Sequence, residues 1–213
     1  MKDHAHEWGI EEMAKMLEVS RSGYYKFLNF APNILQQTFE AKAPDERWVS
    51  DITYVWTLEG WLYLAVILDL FSRKVVGISM SERLKSEIVT DALQQAISRR
   101  CPSLGLIHHS DRGVQYTSER FQNLLKEEGI ICSMSGTGNC FDNAVAESFF
   151  HTLKTECVYR HSYATRAQAK QSIFEYIEVF YNNNRLHSTI GYVSPNEFEN
   201  NYCKQKNVSL RSV

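Results

Sequence analysis

No CxxC pair occurs in this sequence, and its five cysteines, Cys101, Cys132, Cys140, Cys157 and Cys203, are odd in number and widely spread. That pattern argues against a zinc knuckle and favours a reducing compartment. His4 and His6 have no nearby thiolate partners with which to build a zinc site. Long apolar runs are also missing. The longest uncharged one, WLYLAVIL at residues 61–68, is about a strand long and far short of the roughly 20 residues that span a bilayer. The sequence therefore offers no membrane segment. The opening MKDHAHEWGIEEM carries acids where a secretory signal would have an apolar stretch, so the expected location is the cytoplasm.

A net excess of either charge sign is lacking as well. The formal net charge is −2, unlike the strongly basic balance of many nucleic-acid-binding domains. The distribution is uneven, however. Residues 44–153 hold ten Lys/Arg against fourteen Asp/Glu, and residues 154–213 hold eight against five. An acidic middle followed by a basic tail suits a carboxylate-rich site flanked by phosphate contacts, or is a chance fluctuation of the surface. No GxSxG elbow is present, and GTG at 136–138 lacks the strand-to-helix spacing of a phosphate loop. A serine hydrolase and a nucleotide-binding fold thus have no support. There is no internal repeat.

What the chain does contain is enough apolar material for one main core: 213 residues, 44% hydrophobic and 12% aromatic. Residues 10–28 read as two short helices in a helix-turn-helix shape, with Arg21, Tyr24 and Lys26 on the second, equally consistent with a structural hairpin. Residues 31–47 carry two prolines and little periodicity and read as a linker. From Trp48 the pattern becomes β-branched and aromatic. Strands are expected at 48–56, 61–69 and 74–80 as an antiparallel meander, followed by a helix at 86–100 and a strand at 104–110. A helix at 117–129 ending at Gly129, a strand at 130–134, a helix capped by Asp142 and a long helix at 165–182 complete the pattern. The order βββαβαβα implies an α/β mixed sheet flanked by helices.

On that frame three acids stand out. Asp51 interrupts an apolar strand, where an unpaired buried carboxylate is costly. Asp111 follows a strand end, where α/β sheets gather ligands. Glu147 lies in the first turns of the helix DNAVAESFFHTLK (142–154), with His151 and Lys154 on the same side at i+4 and i+7. Each has a plain structural reading: Asp51 pairs with an arginine, Asp111 closes the DRG turn, Glu147 faces water. One site would explain all three together. Carboxylates without histidine or cysteine suit magnesium or manganese. Two such ions about 3.5–4 Å apart can assist an in-line phosphoryl displacement, and Lys154 would meet the phosphate. Asp69 reads instead as a turn residue beside Arg73, Glu156 as a surface acid, and of His108 and His109 one is expected inside and one outside.

The stretches WVSDITYV, EGWLYLAVILDLFSRKVVGISM, HHSDRGVQYTS, GNCFDNAVAESFFHTLKTE and YNNNRLHSTIGYVSPNEFE resemble the DDE integrase-type core of OrfB insertion-sequence transposases, relatives of retroviral integrases. The 35 residues 112–146 between Asp111 and Glu147 match that group's spacing, and Lys154 takes its basic position. The resemblance, running from about Pro32 to Glu199, implies an RNase H-like fold with a core over 48–160, its C-terminal helical part and tail over 161–213, and a shortened helix-turn-helix-like segment over 1–30. It implies Asp51, Asp111 and Glu147 as catalytic and metal-binding, with two Mg2+ or Mn2+ ions, and Lys154 on transposon-end DNA. Arg112, Gln115, Tyr116, Asn139, Asn143, Arg185 and His187 are further candidate DNA contacts, a polar loop scaffold being the alternative. Implied partners are transposon-end and target DNA, further copies of the chain on that DNA, and the upstream-frame protein or its fusion; the implied location is the nucleoid. Two departures stand against this pattern: the helical segment that normally precedes the core is short, and Thr137 replaces an expected basic residue. A non-catalytic remnant that binds DNA or full-length transposase, and an RNase H-like nuclease, are the competing readings.

Overall fold

The run RWVSDITYVWT forms the first strand, β1 (Arg47–Thr57), because its β-branched and aromatic side chains suit a pleated surface. A turn at Leu58–Glu59 reverses it into β2 (Gly60–Asp69), and β3 (Val75–Ser81) follows. These three strands pair antiparallel, as expected for a meander. The computed structural model describes residues 31–35, 40–135 and 144–211. The helix-turn-helix reading of residues 10–28, the Asp142 cap, and the contacts assigned to Asn139 and Asn143 lie outside the described residues.

After β3 the chain alternates: α1 (Glu87–Arg100), β4 (Ile107–Ser110), α2 (Glu119–Glu127), β5 (Ile131–Met134) and α3 (Ala144–Glu156). The sheet order is β3-β2-β1-β4-β5, with β4 parallel to β1 and β5 parallel to β4. This is the mixed sheet expected from the βββαβαβα pattern. β4 is shorter than the apolar run 104–110 suggests. Leu104 is exposed and Gly105 has φ +91°, so the run begins as a turn. α2 ends where Gly129, at φ +64°, closes the turn, as its sequence position implies.

The two faces of the sheet are sorted by the strand period of two. Val49 and Val55 of β1 and Leu62, Leu64, Val66 and Leu68 of β2 share one core cluster with Ala146, Phe149, Phe150 and Leu153 of α3. α1 covers the opposite face through buried Ile88, Val89, Ala92, Leu93 and Ala96. Contact there is tight: a Cβ on Gly77 would come within 2.4 Å of the Ala92 carbonyl oxygen. α4 (Arg166–Glu175) starts at Thr165, whose hydroxyl accepts from Gln168 N–H while the Gln168 side chain reaches back, a reciprocal cap. The long helix expected over 165–182 then widens into a π turn, Tyr176–Tyr181, in which Asn182 N–H donates to Ile177 O at 3.0 Å. α5 (Pro195–Arg211) closes the chain. No described helix is long and apolar enough to cross a membrane.

Candidate active site

The register of the parallel pair decides where the first two acids stand. Val49 pairs with His109 in the last paired step of the β1–β4 ladder, two residues before Asp51 on β1 and two before Asp111, which lies just past the end of β4. Asp51 shares strand parity with Val49 and Val55, so it lies on the face that α3 covers, and Glu147 stands in the first turn of α3. Two electrostatic couplings link these groups, the first joining all three carboxylates and the second joining Asp51 and Asp111 to the core. Asp51 is pushed up to about 7, first by burial and then, after a partly offsetting hydrogen bond from Ile52 N–H, by the negative charges of Asp111 and Glu147. Tyr116, in the core beneath, is raised by burial and then by the charges of Asp51 and Asp111 among its neighbours.

Each aspartate is half-engaged. Asp51 Oδ1 accepts from Ile52 N–H at 2.7 Å and Asp111 Oδ1 from Gly113 N–H at 2.9 Å, and among the described residues neither Oδ2 takes a hydrogen bond. Among the described residues no three acidic, histidine or cysteine groups converge closely enough to form a finished metal cage. The chemistry of the set nevertheless fits a divalent cation. It is all hard oxygen, the charges of Asp111 and Glu147 crowd Asp51, and burial penalises the Asp51 charge that a cation would neutralise.

A buried relay supports the strand that leads to Asp111. Ser133 Oγ accepts from Ile34 N–H (2.9 Å) and Leu35 N–H (3.3 Å), so its own proton goes to His109 Nδ1 at 2.8 Å. The other ring nitrogen then carries the proton and donates to Ser135 Oγ at 3.1 Å, and Ser135 Oγ reaches Ser110 O at 3.4 Å. His108 is also fully buried, against Phe121 and Tyr116. The expectation of one histidine inside and one outside is therefore corrected. β4 is covered on both faces, so alternation selects a face and not exposure. Ser133 and Ser135 were missed by sequence reasoning; their spacing of two, which puts both on one side, was the available signal.

The other candidates fall into three places. Lys154 follows Glu147 by two turns of α3, with Nζ 5.2 Å over the Tyr54 ring. Arg112 and Gln115 flank Asp111, and Gln115 Nε2 lies 3.5 Å from Leu84 O. Tyr116 is 1% exposed and accepts from Ser50 Oγ at 2.7 Å, which makes it the floor of the site and not a surface contact. Arg185 and His187 line a separate cavity of about 570 Å³ with Arg73, Ser148 and Thr152. Arg185 is ion-paired with Glu156 at 2.8 Å, and His187 stands edge-on to Tyr181. Glu156 also accepts from Tyr176 at 2.7 Å, so it is a bound partner and not a free surface acid. Asp69 closes its turn as expected, accepting from Phe71 and Ser72 N–H and, in addition, from Asp45 N–H.

Comparison with known proteins follows the same outline. Two integrase core domain models match the chain, one at residues 41–140 and one at 147–202. The transposase for insertion sequence element IS904 of Lactococcus lactis is 50% identical over 168 residues, covering 79% of this chain and 66% of that one. Transposase InsF for insertion sequence IS3A of Escherichia coli is 47% identical over 173 residues, covering 81% and 60%. The chain thus spans no more than 66% of the length of these relatives. The catalytic core domain of HTLV-2 integrase, solved in complex with magnesium, aligns with a TM-score of 0.56 at 18% identity, covering 75% of this chain and 99% of that domain. At that identity the likeness shows the fold.

Proposed function

The chain belongs to the integrase core domain family, and from that membership we propose that it is the catalytic part of an insertion-sequence DNA transposase. It hydrolyses a phosphodiester at the element's end, then directs the freed 3′-hydroxyl onto a second phosphodiester. The observation that carries this reading is the shared neighbourhood of Asp51, Asp111 and Glu147, in which the two later acids raise the first.

In this reading Asp51, Asp111 and Glu147 would hold two divalent ions, magnesium or manganese. When bound, such ions supply a nucleophile at neutral pH and neutralise charge on the phosphate. The protein's own groups do the rest. The Gly113 and Ile52 N–H groups fix one oxygen of each aspartate, so the other points to a set place. The His109 relay holds Ser110 and through it the strand end that carries Asp111. Lys154 Nζ, two turns along from Glu147, binds backbone phosphate, and Arg112 and Gln115 shape the rim beside Asp111. Arg185 and His187 are weaker DNA candidates, because Arg185 is already neutralised by Glu156. The partners are transposon-end and target DNA, and joining two ends at one target requires a second copy of the chain, with the upstream-frame protein as a further partner. The place of action is the cytoplasmic nucleoid.

The test is strand transfer on a labelled transposon end with magnesium or manganese, beside Asp111→Asn. Loss of one metal-holding carboxylate is expected to lower the rate by at least about a hundredfold, on the scale of other single transition-state contacts. Activity that survives in Asp111→Asn overturns the assignment. Nicking without joining would instead favour the nuclease.

A further inference from the structure

Beside Lys154, the tip of the β1–β2 hairpin leaves large aromatic side chains in solvent. Tyr54, Trp56 and Trp61 are 56%, 57% and 44% exposed, and Tyr159, just past α3, is 73% exposed. Trp61 packs edge-to-face with both Tyr54 (4.9 Å) and Trp56 (4.8 Å). An edge-to-face pair leaves both faces of the edge-on ring free of its partner, which is the surface a third ring needs. These residues, with Leu58 and Lys154, line an open cleft of about 460 Å³. Exposed apolar surface gathered in one place marks a contact site.

The charges around the cleft narrow the occupant. Lys154 forms no ion pair among the described residues, and its ammonium stands over the Tyr54 ring at the rim. Of the acids by the hairpin, Glu82 lies 3.4 Å from Arg166 Nη1, and Glu59 accepts from the Arg166 backbone N–H at 2.8 Å. What remains is an aromatic floor with a cation at its edge. Nucleobases stacked on aromatic rings with their phosphates beside a lysine match that combination, and stacking tolerates any base because each has a π face. Distance adds a register. Lys154 lies seven residues beyond Glu147, about 10 Å along the helix axis, which corresponds to roughly three nucleotides of one strand.

We propose that this cleft binds unpaired nucleobases of a single DNA strand, about three nucleotides from the phosphate that the carboxylates address. The register rests on the carboxylate reading of the site; the binding itself does not. Stacking converts duplex-end fraying into a bound state, so the element's end would be held open while it is cut.

The experiment uses the full chain in chelating buffer with two probes, a single-stranded oligonucleotide and the same sequence as duplex. Trp56→Ala and Trp61→Ala are expected to lose about tenfold in single-strand affinity, within the range that one stacked base supplies, while duplex affinity changes less than twofold. Trp56→Phe, which keeps a ring, retains most of the affinity and controls for folding. In a partly unpaired end, 2-aminopurine fluorescence is quenched most when the probe sits about three nucleotides from the cut. Equal single-strand binding by the alanine variants overturns the proposal, as does an equal loss on duplex. If those variants instead shift the sedimentation coefficient and leave single-strand affinity intact, the face belongs to a second copy of the chain. Strand transfer lost to Asp111→Asn with stacking retained is the expected pattern. Single-strand affinity unchanged in the alanine variants, with Asp111-dependent strand transfer intact, removes this proposal alone.

Discussion

His108 has both ring nitrogens buried without a hydrogen-bond partner, and burial, with a smaller push from His109, lowers it to about 3. His187 is lowered to about 4, first by burial and then by Arg185. Between these values and the ordinary 6.5 the unfolded chain binds the extra proton, so both groups make stability fall as pH drops from about 6.5 toward 4. The raised carboxylates Asp51, at about 7, and Asp69, at about 6, act with the opposite sign, since the folded chain holds their protons more tightly. A single variant separates the terms. His108→Leu is expected to remove a slope of up to about 1.4 kcal/mol per pH unit, seen as urea midpoints for variant and parent that converge near pH 7 and diverge in the variant's favour near pH 5. An identical pH dependence in both would show that His108 is not the buried neutral group described. The burial of His108 and His109 together is not readable from alternation, because position parity says nothing about whether a second layer covers the other side.

At the level of elements, the meander, α1, α2 and α3 follow the hydrophobic periods closely; Asp51 breaks one of those periods and Asp111 follows the end of one, while Glu147 fits the polar side of its helix and stands out only through the resemblance and its spacing from Asp111. The rest depends on partners far away in sequence. Arg185 meets Glu156 across 29 positions, the π turn interrupts a helix with no glycine or proline to announce it, and Leu35 is buried although its stretch reads as linker. The junction of β3 with α1 is another such case. Gly77→Ala would place a methyl against the backbone of Ala92 and the side chain of Ala96, where no flexible end can yield. A cost of about 2–3 kcal/mol is expected, typical of overpacking, and thermal unfolding would show it as a loss of several degrees in Tm. A variant with an unchanged Tm would mean that helix and strand are not in contact at this point.

At the scale of the described molecule, one ionic cluster ties the last helix to the segment before β1, to the β2–β3 turn and to α1. Arg100 forks onto both oxygens of Glu199 at 2.9 Å and reaches Asp45 at 2.8 Å, while Lys74 and Ser72 complete the Glu199 carboxylate. Its hydrogen bonds and charges hold Glu199 below the usual carboxylate range despite burial. Arg100→Met leaves two carboxylates short of their shared cation and is expected to cost about 3 kcal/mol. The loss should be nearly independent of added salt, because the cluster is largely shielded from solvent. Chemical denaturation at low and high ionic strength checks both statements, and a loss that disappears at high salt would place the pair at the surface instead.

The outer strand β3 has a further consequence for how copies of the chain can associate. Val75 N–H donates to Asn182 Oδ1 and Val75 O accepts from Asn182 Nδ2, both at 3.0 Å, while Ile78 N–H donates to Gln95 Oε1 at 2.8 Å. Side-chain amides thus occupy groups along this margin that an incoming strand would need. At Val75 and Ile78 the sheet cannot be lengthened by a neighbour's backbone, so contact between copies at this margin has to be made by side chains and not by fibre-like growth of the sheet.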